Sequence, residues 1–364
     1  MFTSASYKIA GLFIILLIFS CKNSVPISKV GADTIDPTDT LPANTEEKGN
    51  PIDYDNTSVI KTVYVTDRNG AERKGKPNQL SESLGTYEYG APLEIIEITD
   101  TWLGVRDRVT RAFVRNGSNI ESTRWEKLYV RKSSTGELSE IKLIEKDLKV
   151  VSSLTVDEET KEFHTGQRLT KYITLELIEK GLFLSKKSTA ISLILEDTTA
   201  IKKIKGVIEL PVLKGIKRYI DKPEAEEGRE EYTYLGQIEF LNKYLVSGSY
   251  WESWDYKLID KTTGLESQSL GDYPICSPDK KFIICISANP YSTTGDLELY
   301  SIKDKQVTAV MSASFKNWMP VESEDRGFWS NDGYLYIPAQ HVNAYWNSSG
   351  NLNTDSQYVR IKVL

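Results

Sequence analysis

Apolar and polar residues alternate along most of this chain, in short runs separated by Gly, Asp and Asn turns. Val63-Tyr64-Val65, Leu93 to Ile98, Trp102-Leu103-Gly104-Val105-Arg106 and Trp125 to Val130 each read as a strand. Further on, Tyr172 to Leu177, Ile191 to Leu195, Val207 to Leu210 and Ile216 to Ile220 show the same pattern. Spacing of the helical kind is scarce, while 20 Tyr and 7 Trp favour pleated, half-buried surfaces. The expected class is all-β. Two stretches break the alternation. Ile9 to Phe19 is nearly continuous in apolar residues. Residues 22–58 carry Pro26, Pro37, Pro42 and Pro51 among Asp, Thr, Asn and Glu, and cannot bury a core. A flexible segment of that length reaches on the order of 35 Å.

The last 130 or so residues contain an internal repeat. Cys276-Ser277-Pro278-Asp279-Lys280-Lys281-Phe282-Ile283-Ile284 aligns with Trp329-Ser330-Asn331-Asp332-Gly333-Tyr334-Leu335-Tyr336-Ile337. Each copy puts Ser-x-Asp in a turn and apolar residues directly after it. Each is followed by an outer strand, Asp296 to Ile302 and Tyr358 to Val363. A weaker copy begins at Tyr244-Leu245-Val246, continues through Tyr256 to Asp260, and ends in the turn Lys261-Thr262-Thr263-Gly264. A period of about 50 residues is the length of a propeller blade. The Ser-Pro-Asp turn resembles the blades of WD40-like and TolB-like propellers. Three copies fall short of the ~4 blades a closed ring needs. Residues 147–235 would have to supply another, or the sheets form an open stack.

The N-terminal apolar run follows Lys8 and is too short to cross ~30 Å of hydrocarbon as a helix. A positive flank, a short apolar stretch and a small residue read as a signal peptide. Ile18-Phe19-Ser20-Cys21 resembles the lipobox of bacterial lipoproteins, with Phe19 bulkier than the usual residue there. The resemblance implies diacylglyceryl transfer to the Cys21 thiol, cleavage after Ser20, and acylation of the new amine. Two or more acyl chains hold a protein stably on a membrane. Lys22 stands where aspartate would signal inner-membrane retention, so the expected place is the outer membrane, facing the periplasm.

Leu84-Gly85, Gly90, Leu93-x-Ile95, Trp102, Val105-Arg106, Trp125 to Val130 and Thr135-Gly136 resemble the bacterial SH3 (SH3b) pattern. Ala71-Glu72-Arg73-Lys74 departs from the family's Asn-Val-Arg triplet, and Glu137-Leu138 from its closing aromatic–valine pair. The resemblance covers roughly residues 60–145. It implies a small barrel, in a family associated with cell-wall peptides and other envelope ligands. The expected organisation is then a signal peptide over 1–20 and a lipidated tether over 21–58. A barrel over 59–146, a β-rich connecting region over 147–235 and a propeller-like region over 236–364 follow.

Charge and chemistry narrow the partners. A formal charge of −6 gives no global attraction for nucleic acid. Lipidation uses one of three cysteines, leaving Cys276 and Cys285 in a compartment that permits disulfides. A turn at Pro278-Asp279-Lys280-Lys281 places Cys276 opposite Ile283 and Cys285 opposite Pro274. The two sulfurs are then diagonal neighbours at ~7–8 Å, wider than a disulfide prefers. A bond and two buried apolar thiols both stay open. His164 and His341 lack metal partners at ligand spacing, and His341 reads as a surface side chain. The acidic run Glu224 to Glu231 lacks EF-hand spacing and reads as a solvated loop. No nucleophile elbow, phosphate loop or dinucleotide fingerprint occurs. No catalytic residue, metal or cofactor is therefore expected.

Two features could bind a ligand. Arg106, Arg108, Arg111, Arg115, Arg124, Lys127, Arg131 and Lys132 crowd the barrel around Trp102. Arg106 and Arg108 share a strand face, with Val105 and Val109 on the other, and could meet an anionic wall polymer. Tyr345-Trp346, beside His341 and Asn347-Ser348-Ser349-Gly350, is the aromatic pair expected to be exposed. Aromatic faces of this kind stack on sugars. Tyr250, Trp251, Trp254, Tyr256, Trp318 and Trp329 read mainly as blade core. The expected function is binding or scaffolding in the envelope, with peptidoglycan or envelope proteins as partner classes. The alternatives are an envelope enzyme using carboxylates of the C-terminal domain, or an assembly partner of another envelope protein.

Overall fold

The computed structural model describes residues 49–364, apart from 116–117, 158, 163–167, 225–227, 322–326 and 348. Cys21, the signal segment, tether residues 21–48 and His164 lie outside the described residues. The rest of the expected tether is not free chain: Asn50 donates to the Gly75 and Lys127 carbonyls, Pro51 bridges Glu126 and the Tyr54 ring meets Trp125 at 4.4 Å. Residues 48–111 and 122–364 form one compact unit, and the fold below is that of this unit. It is all-β, built of antiparallel sheets with, among the described residues, one short α-helix.

The first sheet has seven strands. Its order is Ser83–Tyr87, Ala71–Lys74, Ser118–Arg131, Trp102–Arg115, Pro92–Ile98, Lys61–Val65 and Thr135–Gly136. Period-two alternation sends Val63, Val65, Leu93, Ile95, Leu103, Val105 and Val130 into one small core. The turn expected at Thr99-Asp100 is present. The Thr99 hydroxyl accepts from the Trp102 backbone N–H at 3.1 Å, and the Thr99 N–H donates to the Trp102 carbonyl at 3.0 Å.

The repeat is a structural one. Strand Ile275–Cys276 turns into Phe282–Asn289, which pairs with Thr294–Lys303; Phe328–Ser330 turns into Leu335–His341, which pairs with Gln357–Val363. In both turns the residue after the aspartate is left-handed: Lys280 at φ 62° and Gly333 at φ 78°. Glycine adopts this conformation without strain; lysine does so at some cost. Asp279 and Asp332 each accept from the backbone N–H two residues on, at 3.2 Å. Cys276 faces Ile283, the register counted from the turn.

Strands from residues 147–235 complete these sheets. Val151–Val156 pairs with Gln306–Phe315, and Ile173–Ile178 pairs with the C-terminal strand Gln357–Val363. The stretches 147–235 and 236–364 therefore share sheets and a core. Phe315, Trp318 and Trp329 are among its largest buried side chains. The strand expected at Ile191 to Leu195 is shorter, Ala190–Ile191 only. Ser192 turns the chain there by bonding the Ile194 N–H at 3.4 Å, and Leu195 bridges Gln237 instead. The helix Lys180–Lys187 lies outside the expected strand pattern. It buries one residue, Phe183, whose ring lies 4.3 Å from that of Tyr358.

A four-stranded sheet, Glu230–Ile238, Lys243–Tyr250, Trp254–Asp260 and Glu266–Leu270, separates two further cores. On one face Tyr234, Tyr244, Val246 and Ile259 pack against Ile208, Leu210 and Tyr219 of the hairpin Val207–Val212/Gly215–Ile220. On the other, Leu245, Leu258 and Tyr256 pack against Cys276, Ile283 and Cys285.

Candidate functional site

The side chains that crowd the first sheet are mostly spent on one another. The Arg106 guanidinium bonds the Glu94 carboxylate and lies over the Tyr54 ring at 4.1 Å. Glu126, fully buried, takes Arg111 through two nitrogens at 2.9 Å and Arg124 at 2.9 Å. Lys127 pairs with Glu97 at 2.6 Å. Arg131 bonds Gln79 and covers Trp102, which is buried. Arg108 is exposed and has no ion pair among the described residues. Arg115's side chain lies outside them. Val105 and Val109 are buried, as the strand alternation requires. The structure sets four of the eight, Arg106, Arg111, Arg124 and Lys127, against carboxylates of their own sheet. Among the described residues only Arg108, Arg131 and Lys132 of the cluster have no carboxylate partner, so the open cationic surface is smaller than the sequence pattern suggests.

The aromatic pair separates. Tyr345 is 3% exposed and packs with Met319 and Ala288; Trp346 is 47% exposed. Only Trp346 is available to a ligand. His341, expected at the surface, is buried. Its ring meets the Tyr89 edge at 5.1 Å and its Nδ1 accepts from the Asn343 N–H at 3.2 Å. Burial holds it down to about 4, with Asp147 opposing and Arg68 reinforcing the shift. Cys276 and Cys285 are not bonded to each other; both are free and buried in one apolar cluster. Burial pushes the Cys276 thiol up to about 12, and pushes Cys285 up too, with Glu298 adding to it.

A cleft lies elsewhere, where three sheets meet. Its volume is about 740 Å³, within the size range of small-molecule sites. The strand Trp254–Asp260 contributes Trp254 and Tyr256. The segment before the first Ser-Pro-Asp turn gives Asp272, Tyr273 and Pro274, and the second repeat gives Phe328 and Ile337. Ile191 to Ile194 and Glu196 close another side. The Tyr256 and Tyr273 rings meet edge to face at 6.0 Å, and the Tyr273 hydroxyl donates to Glu196 at 3.0 Å. Gly327 sits where a Cβ would come within 3.2 Å of Ile337 and 3.3 Å of the Tyr336 carbonyl, so the wall packs tightly there.

A smaller pocket of about 320 Å³ shares Trp254 and Asp272 with the cleft. Asp296, Glu298 and Glu252 line it. Neutral donors hold two of these carboxylates. Glu298 accepts from the Gly271 N–H and the Tyr300 hydroxyl, both at 2.8 Å; Asp296 accepts from Asn289 and Thr294 at 3.0 and 2.9 Å. Among the described residues no Lys or Arg lines either pocket. Among the described residues the joined surface is aromatic and apolar with a negative rim. It suits a ligand with one apolar face and hydroxyl or amino donors on its edge.

The sequence pattern singles out Trp254 and Tyr256 but assigns them to the core, and it passes over Glu196, Asp272, Tyr273 and Phe328. These come from segments up to 132 residues apart, Glu196 to Phe328, so no local pattern announces them. The one local signal is Gly271-Asp272-Tyr273-Pro274, a turn directly before the repeat. Comparison with protein-family models, with curated proteins and with solved structures finds no match to the chain.

Proposed function

We propose that the chain is an envelope lipoprotein, acylated at Cys21, whose folded part binds a cell-wall component in the cleft around Trp254, Tyr256 and Asp272. One observation carries this reading: an aromatic cleft of about 740 Å³ with carboxylates and, among the described residues, no lining cation. Sugar rings present apolar C–H faces to aromatic rings and hydroxyls to carboxylates. An amino group on the ligand would gain a charge-assisted bond at Asp272 or Glu196. Glycan strands of peptidoglycan, and peptides bearing amines, have this chemistry. The seven-stranded sheet with its SH3b-like spacing supports an envelope-binding lineage. The two like-built repeat units support a propeller-like reading of the rest.

Titration calorimetry of the purified chain with soluble glycan fragments of peptidoglycan tests the proposal. Binding should be lost in Trp254→Ala and weakened about tenfold or more in Asp272→Asn, where a charge-assisted bond becomes a neutral one. It should survive Arg108→Ala. Binding that ignores Trp254 and Asp272 but disappears with Arg108 would move the site to the first sheet.

A further inference from the structure

The hairpin Val207–Val212/Gly215–Ile220 has a second face that none of the described residues covers. Its inner residues Ile208, Leu210 and Tyr219 are buried against the four-stranded sheet. Its outer residues pair across the strands as Pro211 with Ile216, Glu209 with Arg218 and Val207 with Ile220, so an ion pair stands between the two aliphatic pairs. Ile216 and Ile220 are each 54% exposed, Leu213 at the tip is 80% exposed, and Ile204 at the base is 68% exposed. Six residues of strand set these ends about 20 Å apart. At the tip Pro211, Leu213 and Ile216 face water together, and an exposed aliphatic group of this kind marks a contact.

The charges around this face are one-sided. Residues 201–222 carry seven Lys or Arg against Glu209 and Asp221, in a chain whose total is −6. Lys203, Lys217, Arg218 and Lys222 pair with Asp221, Glu266, Glu209 and Glu230 at 2.7, 3.4, 2.7 and 3.2 Å. Lys202 and Lys205 at the base and Lys214 at the tip are exposed, with no ion pair among the described residues. The exposed aliphatic side chains, split by the Glu209–Arg218 pair, are thus bracketed by free ammonium groups. An acidic protein surface would match the charges but leave the aliphatic side chains at tip and base without a counterpart. A bilayer surface with anionic headgroups offers both, acyl chains for the side chains and phosphates for the lysines.

We propose that the outer face of this hairpin docks onto an anionic lipid surface. Leu213, Ile216 and Ile220 enter the headgroup–acyl boundary, and Lys202, Lys205 and Lys214 meet the phosphates. The contact is independent of the cleft. It is also separate from the acyl anchor, which would hold the chain to a neutral bilayer equally well.

The full-length chain, purified from membranes, carries the test. Leu213→Cys is labelled with a polarity-sensitive dye; Cys276 and Cys285, 3% and 1% exposed, stay shielded. The labelled chain is reconstituted in vesicles of phosphatidylcholine, or of phosphatidylcholine with phosphatidylglycerol. Flotation on pure phosphatidylcholine reports the anchor alone. The dye reports docking: its emission should shift to the blue, with quenching by nitroxide lipids, only where phosphatidylglycerol is present. Lys205→Glu with Lys214→Glu should weaken this response by at least fivefold for each lysine removed. High salt should weaken it too. No shift on anionic vesicles overturns the proposal. So does an equal shift on neutral ones, or a shift that grows with protein concentration in the absence of lipid, which would mean a second copy occupies the face.

Discussion

Acid should weaken this protein through His341 well before its carboxylates titrate. The imidazole is 5% exposed and sits in a junction of Tyr89, Asn343, Arg68 and Asp147. Arg68 and Tyr89 belong to the segment that carries the first sheet, and Asp147 and Asn343 to the later part of the chain. Arg68 bonds Asp147 at 2.7 Å, and Asn343 donates to the Tyr89 carbonyl at 2.8 Å. Buried, His341 titrates at about 4, against ~6.5 in an unfolded chain. The native value lies below the unfolded one, so the unfolded chain takes up a proton that the folded one refuses. Stability is therefore flat above pH 7, falls as pH drops through ~6.5, and levels off below the folded value. The slope reaches ~1.4 kcal/mol per pH unit, and the loss by pH 4.5 is roughly 2.5 kcal/mol. Native carboxylates with lowered values, such as Glu94 and Glu126, act at more acid pH. His341→Gln removes the titration while keeping an acceptor for the Asn343 N–H. It should cost about 1 kcal/mol at pH 7.5 through lost packing on Tyr89. Urea melts followed by tryptophan fluorescence, from pH 7.5 to 4.5, compare the two. The curves should cross near pH ~6, and by pH 4.5 the variant should be the more stable by roughly 1.5 kcal/mol. Parallel loss in both proteins would refute a neutral buried His341.

Three further outcomes follow from named contacts. Glu126→Gln leaves Arg111 and Arg124 facing a buried amide and should lower unfolding free energy by about 3 kcal/mol, read from urea melts at neutral pH. Cys276 and Cys285 should resist thiol reagents in the folded chain, since burial keeps both protonated; both should react on unfolding in urea. Fast labelling of the native protein would contradict that burial. Cys21→Ser should leave a precursor that takes up no alkyne fatty acid in metabolic labelling, because acyl transfer needs the thiol. Label retained by the variant would rule out the anchor.

The features legible in the sequence are local ones. The turn Ser277-Pro278-Asp279-Lys280 sets its own geometry through Ser277 and Asp279, so the Cys276–Ile283 register follows from counting outward along the chain. The alternation in Leu93 to Ile98 and in Tyr358 to Val363 marks their strands for the same reason. Long-range pairing has no such signature. Nothing near Arg106 or Arg111 in sequence tells that Glu94 and Glu126 stand on the adjacent strands. A row of arginines therefore reads as a ligand surface when it is internally neutralised. Trp254 and Trp329 look alike in composition, yet Trp254 is 49% exposed and Trp329 is 2%. The difference lies in which sheet covers each ring. The helix Lys180–Lys187 is hidden because one buried phenylalanine in eight residues leaves no periodic stripe.

The two proposed contacts constrain each other through the four-stranded sheet. Successive residues of a strand point to opposite faces. On Trp254–Asp260, Ile259 packs against the hairpin, while Tyr256 and Leu258 pack on the side of the cleft; Trp254 shares their phase. The hairpin's outer face is thus one further layer away, with the sheet and hairpin stacked at ~10 Å between it and the aromatic wall. If Leu213 and Ile216 rest on lipid, the cleft opens on the opposite side, toward the aqueous space where wall glycan would be met. Trp254 is half exposed and could itself be mistaken for a membrane anchor, since tryptophan favours interfaces. The layer order says otherwise. Nitroxide lipids that quench a dye at Leu213 should leave one at Trp254→Cys unquenched in the same vesicles. Quenching at both positions would mean that the bilayer reaches the cleft, and that the sheet does not divide a lipid-facing side from a ligand-facing one.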